Sequence, residues 1–256
     1  MNARRITVTI GTALALAVAA GCGSGEEDPF ATASPSESSA GGSGSIIVGS
    51  ADFPESVLLA EIYAGALEAK GVDVTTKLRI GAREVYIPAL QDGSIDLIPE
   101  YTGNLTLFFN KDAKATDPEG VYTELQAALP DTLTVLDKSA AEDKDGVVVT
   151  KDTAAKLSLK SIADLEGKSQ DLVLGGPPEW KTRPVGVPGL KSVYNLEFKS
   201  FKPLDAGGPL SVNALKNGQV DAANIFTTDP SIPANGFVVL EDPKSLFAAQ
   251  NVVPLA

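Results

Sequence analysis

Two aromatic residues, Tyr101 and Phe226, occupy equivalent points of a stretch that occurs twice in the chain. The stretch reads ALQDGSID at residues 89–96 and ALKNGQVD at residues 214–221, and each copy reaches its aromatic residue five positions after its last Asp. A threonine follows each ring, so each copy brings an aromatic face and a hydroxyl, which suit the binding of a ligand. The repetition suggests two lobes that face one ligand. The alternative is a common helix–turn–strand pattern whose Tyr and Phe lie in separate cores.

To place its ring, each copy must fold as a helix end, a tight turn and a strand. Gly93 and Gly218 can adopt the left-handed conformation that ends a helix, which a residue with a Cβ resists. Residues 95–98 and 220–225 are short, largely apolar runs that are typical of a covered parallel strand. In open α/β sheets, ligands bind beyond the carboxyl ends of the strands, which is where we expect the two rings.

The composition argues against most catalytic chemistry. The chain of 256 residues has no histidine, and its one cysteine is Cys22, which removes Ser-His-Asp and Cys-His nucleophiles and the usual zinc ligand sets. We therefore expect no enzyme, no metal and no cofactor, with a carboxylate-only hydrolase left as an open alternative. Lys and Arg number 21 against 33 Asp and Glu, a net charge of −12. Such a surface repels nucleic acid and tolerates cationic ligands, although it also serves plain solubility.

The N-terminal residues 1–22 have the pattern of a signal peptide, with two arginines before an apolar run that is too short for a comfortable membrane span. The run ends in Ala-Ala-Gly-Cys, which resembles a bacterial lipobox and predicts that Cys22 is lipidated. The alternative is ordinary cleavage near Ala20. Residues 23–45 are rich in Gly, Ser, Glu and Pro, which predicts a disordered tether. We therefore expect the folded body to be anchored by lipid to the cell membrane, on its extracytoplasmic side.

The folded part is predicted to be α/β with two lobes. Residues 46–146 together with 227–256 form the first lobe, and residues 147–226 form the second. The chain is expected to return to the first lobe through the apolar run 237–240, so that two crossings make a hinge able to close around a ligand. The sequence stops at an apolar run, 252–256, that no later helix covers, and we expect that a C-terminal part is missing.

Motifs in the folded part are similar, in order and spacing, to those of the substrate-binding proteins of ABC importers for glycine betaine, choline, carnitine and related osmoprotectants. The motifs that carry the resemblance are Gly49-Ser50 with Phe53 and Glu55, GAREV at 81–85, PEYTG at 99–103, TRP at 182–184, PGL at 188–190, TTD at 227–229 and NVVP at 251–254. The resemblance implies a two-lobed periplasmic-binding-protein-like (type II) fold. It also implies that a small molecule is delivered to an ABC permease and its ATPase.

The site implied by the resemblance is a cage of tyrosines around a quaternary ammonium, with an arginine for a carboxylate. Aromatic faces attract such a cation, which has no N–H to donate, and a guanidinium can hold a carboxylate with two parallel hydrogen bonds. Carried over onto this sequence, the implied ligand-binding residues are Tyr101, Asn104, Asp143, Asp145, Arg183 and Phe226.

Several positions depart from the family's pattern. Asp145 and Val212 stand where the second and third cage tyrosines belong, Phe226 keeps a ring without a hydroxyl, and Asn104 replaces a threonine. Half of the cage is therefore missing, which weakens the binding of a quaternary ammonium. Asp145 could restore attraction to a cation, and Trp180 could supply a replacement ring or simply pack beneath the lobe.

We therefore predict a monomeric lipoprotein that binds an osmoprotectant-like molecule for an ABC transporter and performs no chemistry. Three alternatives remain: the same fold with a polyol, an aromatic compound or another polar metabolite as its ligand; a sensor without transport; and, remotely, an enzyme that uses Asp143, Asp145 and Arg183. Arg183 could also be a surface salt-bridge residue, and the two aspartates could be solvated turn residues.

Overall fold

The structure is a computed structural model that describes residues 44–256. The predicted signal peptide, Cys22 and nearly all of the predicted tether lie outside the described residues. The strands, β1 to β9 in chain order, are Ile46–Gly49, Val74–Lys77, Ile98–Tyr101, Asp145–Val149, Val173–Gly176, Ser200–Pro203, Ala222–Phe226, Val238–Val239 and Val252–Leu255. The α-helices, α1 to α8, are Pro54–Glu68, Arg83–Gln91, Thr102–Phe109, Pro118–Ala128, Lys151–Leu157, Val187–Tyr194, Pro209–Lys216 and Ser231–Asn235.

The first lobe is built around two small sheets. β1 pairs in parallel with β2, and Val48 of β1 bridges Leu97 just before β3. β3 pairs with β9 in the antiparallel sense. Behind these strands, α2, α3 and α4 contribute Leu90, Leu105 and Leu125 to one buried core. This packing fixes the junction of β3 and α3, on which part of the site is built.

Both copies of the repeated stretch fold as a helix end, a turn and a strand. The glycines after α2 and α7, Gly93 and Gly218, have φ values of +76° and +65°, which a residue with a Cβ rarely adopts. The strands that follow end on the aromatic residues, β3 at Tyr101 and β7 at Phe226. The prediction of two parallel strands is only partly right, because β3 pairs with an antiparallel partner and β7 has one parallel and one antiparallel neighbour.

The second lobe is a five-stranded sheet with the strand order β6-β5-β7-β4-β8. Val238 and Val239 form β8, which pairs with β4 inside this sheet. The prediction that the chain returns to the first lobe through residues 237–240 is therefore wrong. The physical reason is that this apolar run supplies backbone partners to the edge of β4 and packs on the core around Val148.

The chain crosses between the lobes twice, and the two crossings lie side by side. The first leads into β4 at Asp145, and the second runs from β8 to β9. Glu142 and Asn251 form an isolated antiparallel bridge between them, and the backbone N–H of Asp143 donates to the carbonyl of Gln250 at 3.2 Å. The hinge therefore consists of two paired segments, directly beside the two aspartates.

The last strand, β9, is not the exposed strand that its terminal position suggests. It pairs with β3 along its length, and Val253 and Leu255 are fully buried in the core of the first lobe. The other edge of β9 is hydrogen-bonded to residues 134–141, for example through the N–H of Leu136, which donates to the carbonyl of Pro254 at 3.0 Å.

Candidate functional site

The six side chains selected from the sequence all line one cleft between the lobes. The cleft contains a cavity of about 330 Å³, which suits a small metabolite. The six are Tyr101 and Asn104 from the first lobe, Asp143 and Asp145 from the first crossing, and Arg183 and Phe226 from the second lobe.

Three aromatic rings form a cluster at one wall of the cleft. The ring of Phe53 lies 6.0 Å from that of Tyr101 and 5.1 Å from that of Phe226, measured between centroids. The two rings of the repeat therefore meet the same third ring. Phe53 was not selected as a site residue from the sequence. Its place just after β1, at a carboxyl end of a strand, is the signal that could have found it.

Trp180 packs in the second lobe and does not replace a cage ring. Its side chain is 1% exposed, and its ring stacks on Phe247 with centroids 6.1 Å apart. Although Trp180 borders the cleft, it belongs to the main core of that lobe. Val212, where another cage tyrosine was expected, packs against a neighbouring core cluster. The three-ring cluster is therefore the main aromatic surface of the cleft.

Glu55 joins the two lobes through one carboxylate. Its Oε1 accepts a hydrogen bond from the phenol of Tyr101 at 2.7 Å, and its Oε2 accepts one from the hydroxyl of Thr228 at 2.7 Å. Burial and the negative charge of Glu55 raise the pKa of the Tyr101 phenol, so the phenol is a hydrogen-bond donor at neutral pH. The ring of Tyr101 is thereby held in one orientation.

Asp143 is a buried carboxyl group beside Glu55. Burial, and after it the negative charge of Glu55, raise the pKa of Asp143 to about 7. The backbone N–H of Thr228 donates to Asp143 at 3.1 Å, and this hydrogen bond partly offsets the rise because it favours the ionised carboxylate. Asp143 therefore changes charge near neutral pH. A cation in the cleft would favour its ionised form.

Asp145 lies between two asparagine side chains, one from each lobe. The side-chain amides of Asn104 on α3 and Asn224 on β7 donate to its Oδ2 and Oδ1, each at 2.8 Å. Their own carbonyl oxygens, both named Oδ1, are buried and have no hydrogen-bond partner among the described residues. Asn224 was not selected from the sequence, because a single Asn within an apolar run gives no local sign of a site.

A buried ion pair supports the cleft wall behind Tyr101. Arg83 donates from Nε and Nη2 to the two carboxylate oxygens of Glu100, each at 2.7 Å, and the hydroxyl of Tyr86 donates to the same carboxylate. Burial is the largest single influence and would by itself lower the pKa of Arg83, but the charge of Glu100, the nearby Tyr86 and the hydrogen bond to Glu100 together outweigh burial, and the pKa is raised. Glu100 also accepts from the backbone N–H of Tyr101 at 2.8 Å, so the pair positions the strand end that carries the ring.

Arg183 lines the cleft, but its guanidinium already has a partner. Its Nη2 lies 3.0 Å from Oε2 of Glu84, a half-exposed residue on α2 of the first lobe. Arg183 also borders a second cavity of about 300 Å³. Arg183 and Glu84 therefore form an ion pair between the lobes. A ligand carboxylate that binds Arg183 must share the guanidinium with Glu84 or displace Glu84 from it.

The cleft is lined by aromatic and acidic side chains together with two arginines, Arg83 and Arg183, each of which is paired with a glutamate. Aromatic faces attract positive charge, and Asp143 and Asp145 supply carboxylates beside them. Within residues 44–256, no cluster of His, Cys, Asp and Glu side chains could hold a metal ion. None of the helices in that range combines the length and the apolar content needed to cross a membrane.

Comparison with known proteins agrees with this geometry. A family model described as the substrate binding domain of ABC-type glycine betaine transport systems matches residues 44–256. The chain is 29% identical over 211 residues to the glycine betaine-binding protein YehZ of Escherichia coli (strain K12), a match that covers 78% of this chain and 69% of that protein. It is 27% identical over 217 residues to the carnitine transport binding protein OpuCC of Listeria monocytogenes serotype 1/2a (strain 10403S), covering 83% of this chain and 70% of that one.

Solved structures show the same fold. A crystal structure described as a glycine betaine/carnitine/choline ABC transporter matches with a TM-score of 0.63 and 25% identity, covering 82% of this chain and 79% of that chain. Lactococcal OpuAC, in its closed conformation with glycine betaine, matches with a TM-score of 0.57 and 16% identity, covering 83% and 76%. These matches confirm the predicted two-lobed α/β fold of the type II periplasmic binding proteins.

Proposed function

The chain belongs to the family of substrate-binding domains of ABC-type glycine betaine transport systems, and from this premise we propose that it captures a small cationic or zwitterionic solute between its two lobes. The proposed ligand class is that of glycine betaine, choline, carnitine or a related osmoprotectant. The loaded protein delivers this solute to a permease and its ATPase. Closure of the lobes around the ligand creates the surface that the permease recognises.

One observation supports this proposal most strongly. Tyr101 of the first lobe and Phe226 of the second both pack on Phe53, with Asp143 lining the same cleft. A cation that lies against these rings gains about 0.5–2 kcal/mol per ring. Because the rings come from both lobes, such a cation favours the closed arrangement over the open one.

We further propose that the protein acts as a lipid-anchored monomer on the extracytoplasmic side of the cell membrane, held there through Cys22. The short apolar run that ends at this cysteine supports the proposal. An anchored body remains close to its membrane partner, which raises its effective concentration at the permease. Mass spectrometry of the protein isolated from its native membrane tests the anchor: a diacylated N-terminal Cys22 is expected, and a free thiol on this residue would contradict it.

Two other functions use the same cleft. A sensor would bind the solute without passing it to a permease. An enzyme would need Asp143, Asp145 and Arg183 to act on the ligand. However, Asp145 accepts hydrogen bonds from two side-chain amides, and Arg183 forms an ion pair with Glu84. We therefore propose a binding protein that performs no chemistry.

Isothermal titration of the purified protein with glycine betaine, choline, carnitine and unrelated polar compounds tests the proposed function. Saturable binding of one small nitrogen-containing cation or zwitterion per chain is expected, with the ligand recovered unchanged by nuclear magnetic resonance. Absence of binding across the panel, or conversion of the ligand to a product, would contradict it. Uptake of the bound solute in cells that carry or lack the partner permease separates transport from sensing.

A further inference from the structure

The second cavity, of about 300 Å³, lies next to the one that holds the ring cluster, and Arg183 borders both. Its walls come from both lobes: Leu107 and Phe108 of α3, with Lys111 just after that helix, face the segment 182–185 of the second lobe. Leu107 packs on the main core of the second lobe, whereas Phe108 packs on the core of the first. The second cavity is therefore also formed by the approach of the two lobes.

The two cavities differ in the sign of their charge. The first is lined by five acidic side chains and two arginines, whereas the charged side chains that line the second are Arg83, Lys111, Arg183 and a single acid, Glu84. Arg83 is paired with the buried Glu100, and Arg183 is paired with Glu84. Lys111 takes part in no ion pair within residues 44–256, so its charge is in excess. In a chain with a net charge of −12, this basic cavity stands apart from the average surface.

Both unsatisfied positive groups of the second cavity can be reached by a ligand. Arg183 contacts Glu84 through Nη2 alone. Its Nε and Nη1 have no hydrogen-bond partner among the described residues, and neither atom is buried. The side chain of Glu84 is 51% exposed, so its pair with Arg183 is weak and a second carboxylate can share the guanidinium at small cost. Lys111 is exposed and borders the same cavity.

The rest of the lining is largely apolar. Four apolar side chains border the second cavity: Leu107, Phe108, Pro184 and Val185. A short hydrocarbon chain is stabilised when it leaves water for such walls, and a carboxylate gains charge-assisted hydrogen bonds from an ammonium and a guanidinium. A small inorganic anion would use the charges and leave the apolar walls in contact with water. The cavity therefore fits an acid that carries a short apolar chain.

We propose that the second cavity is a subsite for a carboxylate on a short apolar chain, with Lys111 and Arg183 holding the carboxylate and Leu107 and Phe108 contacting the chain. The carboxylate belongs either to a long zwitterion, whose cationic end lies in the first cavity, or to a separate molecule. The first case rests on the proposed function, because it extends the ligand class to longer betaines, and the second case does not. In both cases the occupant contacts both lobes and favours their closed arrangement.

Two isothermal titrations distinguish these sources. The first uses trimethylammonio carboxylates that begin with glycine betaine and lengthen the chain between nitrogen and carboxylate one methylene at a time. If one ligand spans both cavities, a longer member should bind about 10- to 100-fold tighter than glycine betaine, the range expected for an added charge-assisted hydrogen bond.

The second titration measures the affinity for choline with and without hexanoate. If the carboxylate belongs to a separate molecule, hexanoate should raise the affinity for choline about fivefold or more, because both compounds favour the closed lobes. Acetate, which has the same carboxylate without the apolar chain, should have a much smaller effect.

A lysine variant assigns either gain to the second cavity. Lys111→Gln should bring two ratios toward one: the affinity for the best long betaine relative to glycine betaine, and the affinity for choline with hexanoate relative to choline alone. Lys114→Gln is the matched control and should keep the ratios of the wild-type protein. Lys114 is also exposed and forms no ion pair within the described residues, but it is not among the residues that line either cavity.

The outcomes separate this inference from the proposed function. No gain in either titration, or a gain that Lys111→Gln leaves intact, would overturn the inference, while binding of choline or glycine betaine would still support the proposed function. If neither choline nor any betaine of the series binds, the proposed function fails. Direct titration with hexanoate then still tests the subsite: binding to the wild-type protein and to Lys114→Gln that is lost in Lys111→Gln supports it, and any other result overturns it.

Discussion

The phenol of Tyr101 lies 2.7 Å from Oε1 of Glu55, and through that carboxylate the end of β3 is connected to Thr228 of the other lobe. A ring that belongs to the first lobe is thus held by a contact that reaches the second. The aromatic cluster, the pair Asp145–Asn104 and the pair Arg183–Glu84 repeat this arrangement elsewhere in the cleft. The cleft is therefore assembled by the approach of the lobes, and its residues serve closure as well as recognition.

The ring of Phe53, which was not selected from the sequence, is predicted to contact the bound cation. Phe53→Leu keeps an apolar side chain of similar size but removes the π face, so the affinity for the cation that the protein binds best should fall by about 2- to 30-fold. Isothermal titration measures the change. Phe109→Leu is the control, because Phe109 packs edge-on against Phe108 and is not among the residues that line the cleft. Equal affinities for the two variants would contradict a role for Phe53.

Asp143 is predicted to make stability depend on pH between about 4 and 7. Its pKa rises from 3.8 to about 7 on folding, so the folded state binds a proton that the unfolded state has released in this range. The stabilising contribution is complete below about pH 4 and is lost as the pH rises through about 7. Urea unfolding at intervals from pH 4 to pH 8 measures this slope. Asp143→Asn, which cannot titrate, should flatten it, and a slope that is unchanged in the variant would contradict the assignment.

Arg183 is predicted to distinguish ligands that carry a carboxylate from those that do not. Arg183→Gln should lower the affinity for glycine betaine about 10- to 100-fold, which is the range expected for the loss of a charge-assisted hydrogen bond. The affinity for choline, which has no carboxylate, should change much less. If Arg183 serves only to join the lobes through Glu84, the two affinities will fall by the same factor. Paired titrations of the variant with the two compounds decide between these results.

Removing one partner of the buried ion pair between Arg83 and Glu100 is predicted to destabilise the first lobe strongly. Glu100→Gln leaves a buried guanidinium without its counter-charge, which should lower the free energy of unfolding by roughly 3–5 kcal/mol. Urea denaturation followed by circular dichroism measures the loss. Asp52→Asn is the control: its partner Arg79 lies 3.0 Å away, but both side chains are 58% exposed, and exposed pairs contribute little. Similar losses in the two variants would contradict the prediction.

The parts of the site that could be predicted from the sequence are those with a local pattern. Gly93 and Gly218 mark helix ends by their type alone, and the repeat places Tyr101 and Phe226 at strand ends. These features depend on residues within about a dozen positions of one another along the chain, so composition and spacing are enough to reveal them.

The missed parts depend on contacts between distant segments. Glu55 meets Thr228 across 173 positions, and Asn224 meets Asp145 across 79. Nothing in the neighbourhood of either residue indicates its partner. The wrong lobe for residues 237–240 has a similar cause, because a two-residue apolar strand can complete the edge of either sheet and its pattern does not say which.

The central claim is that rings from both lobes contact one ligand. The measurement that tests it most directly is a titration of Tyr101→Ala, Phe226→Ala and the double variant with the cation that the wild-type protein binds best. We predict that each single substitution lowers the affinity by about 2- to 30-fold and that the double variant binds the cation more weakly than either single variant. Affinity that is unchanged in either single variant, with the fold intact by circular dichroism, would contradict the claim.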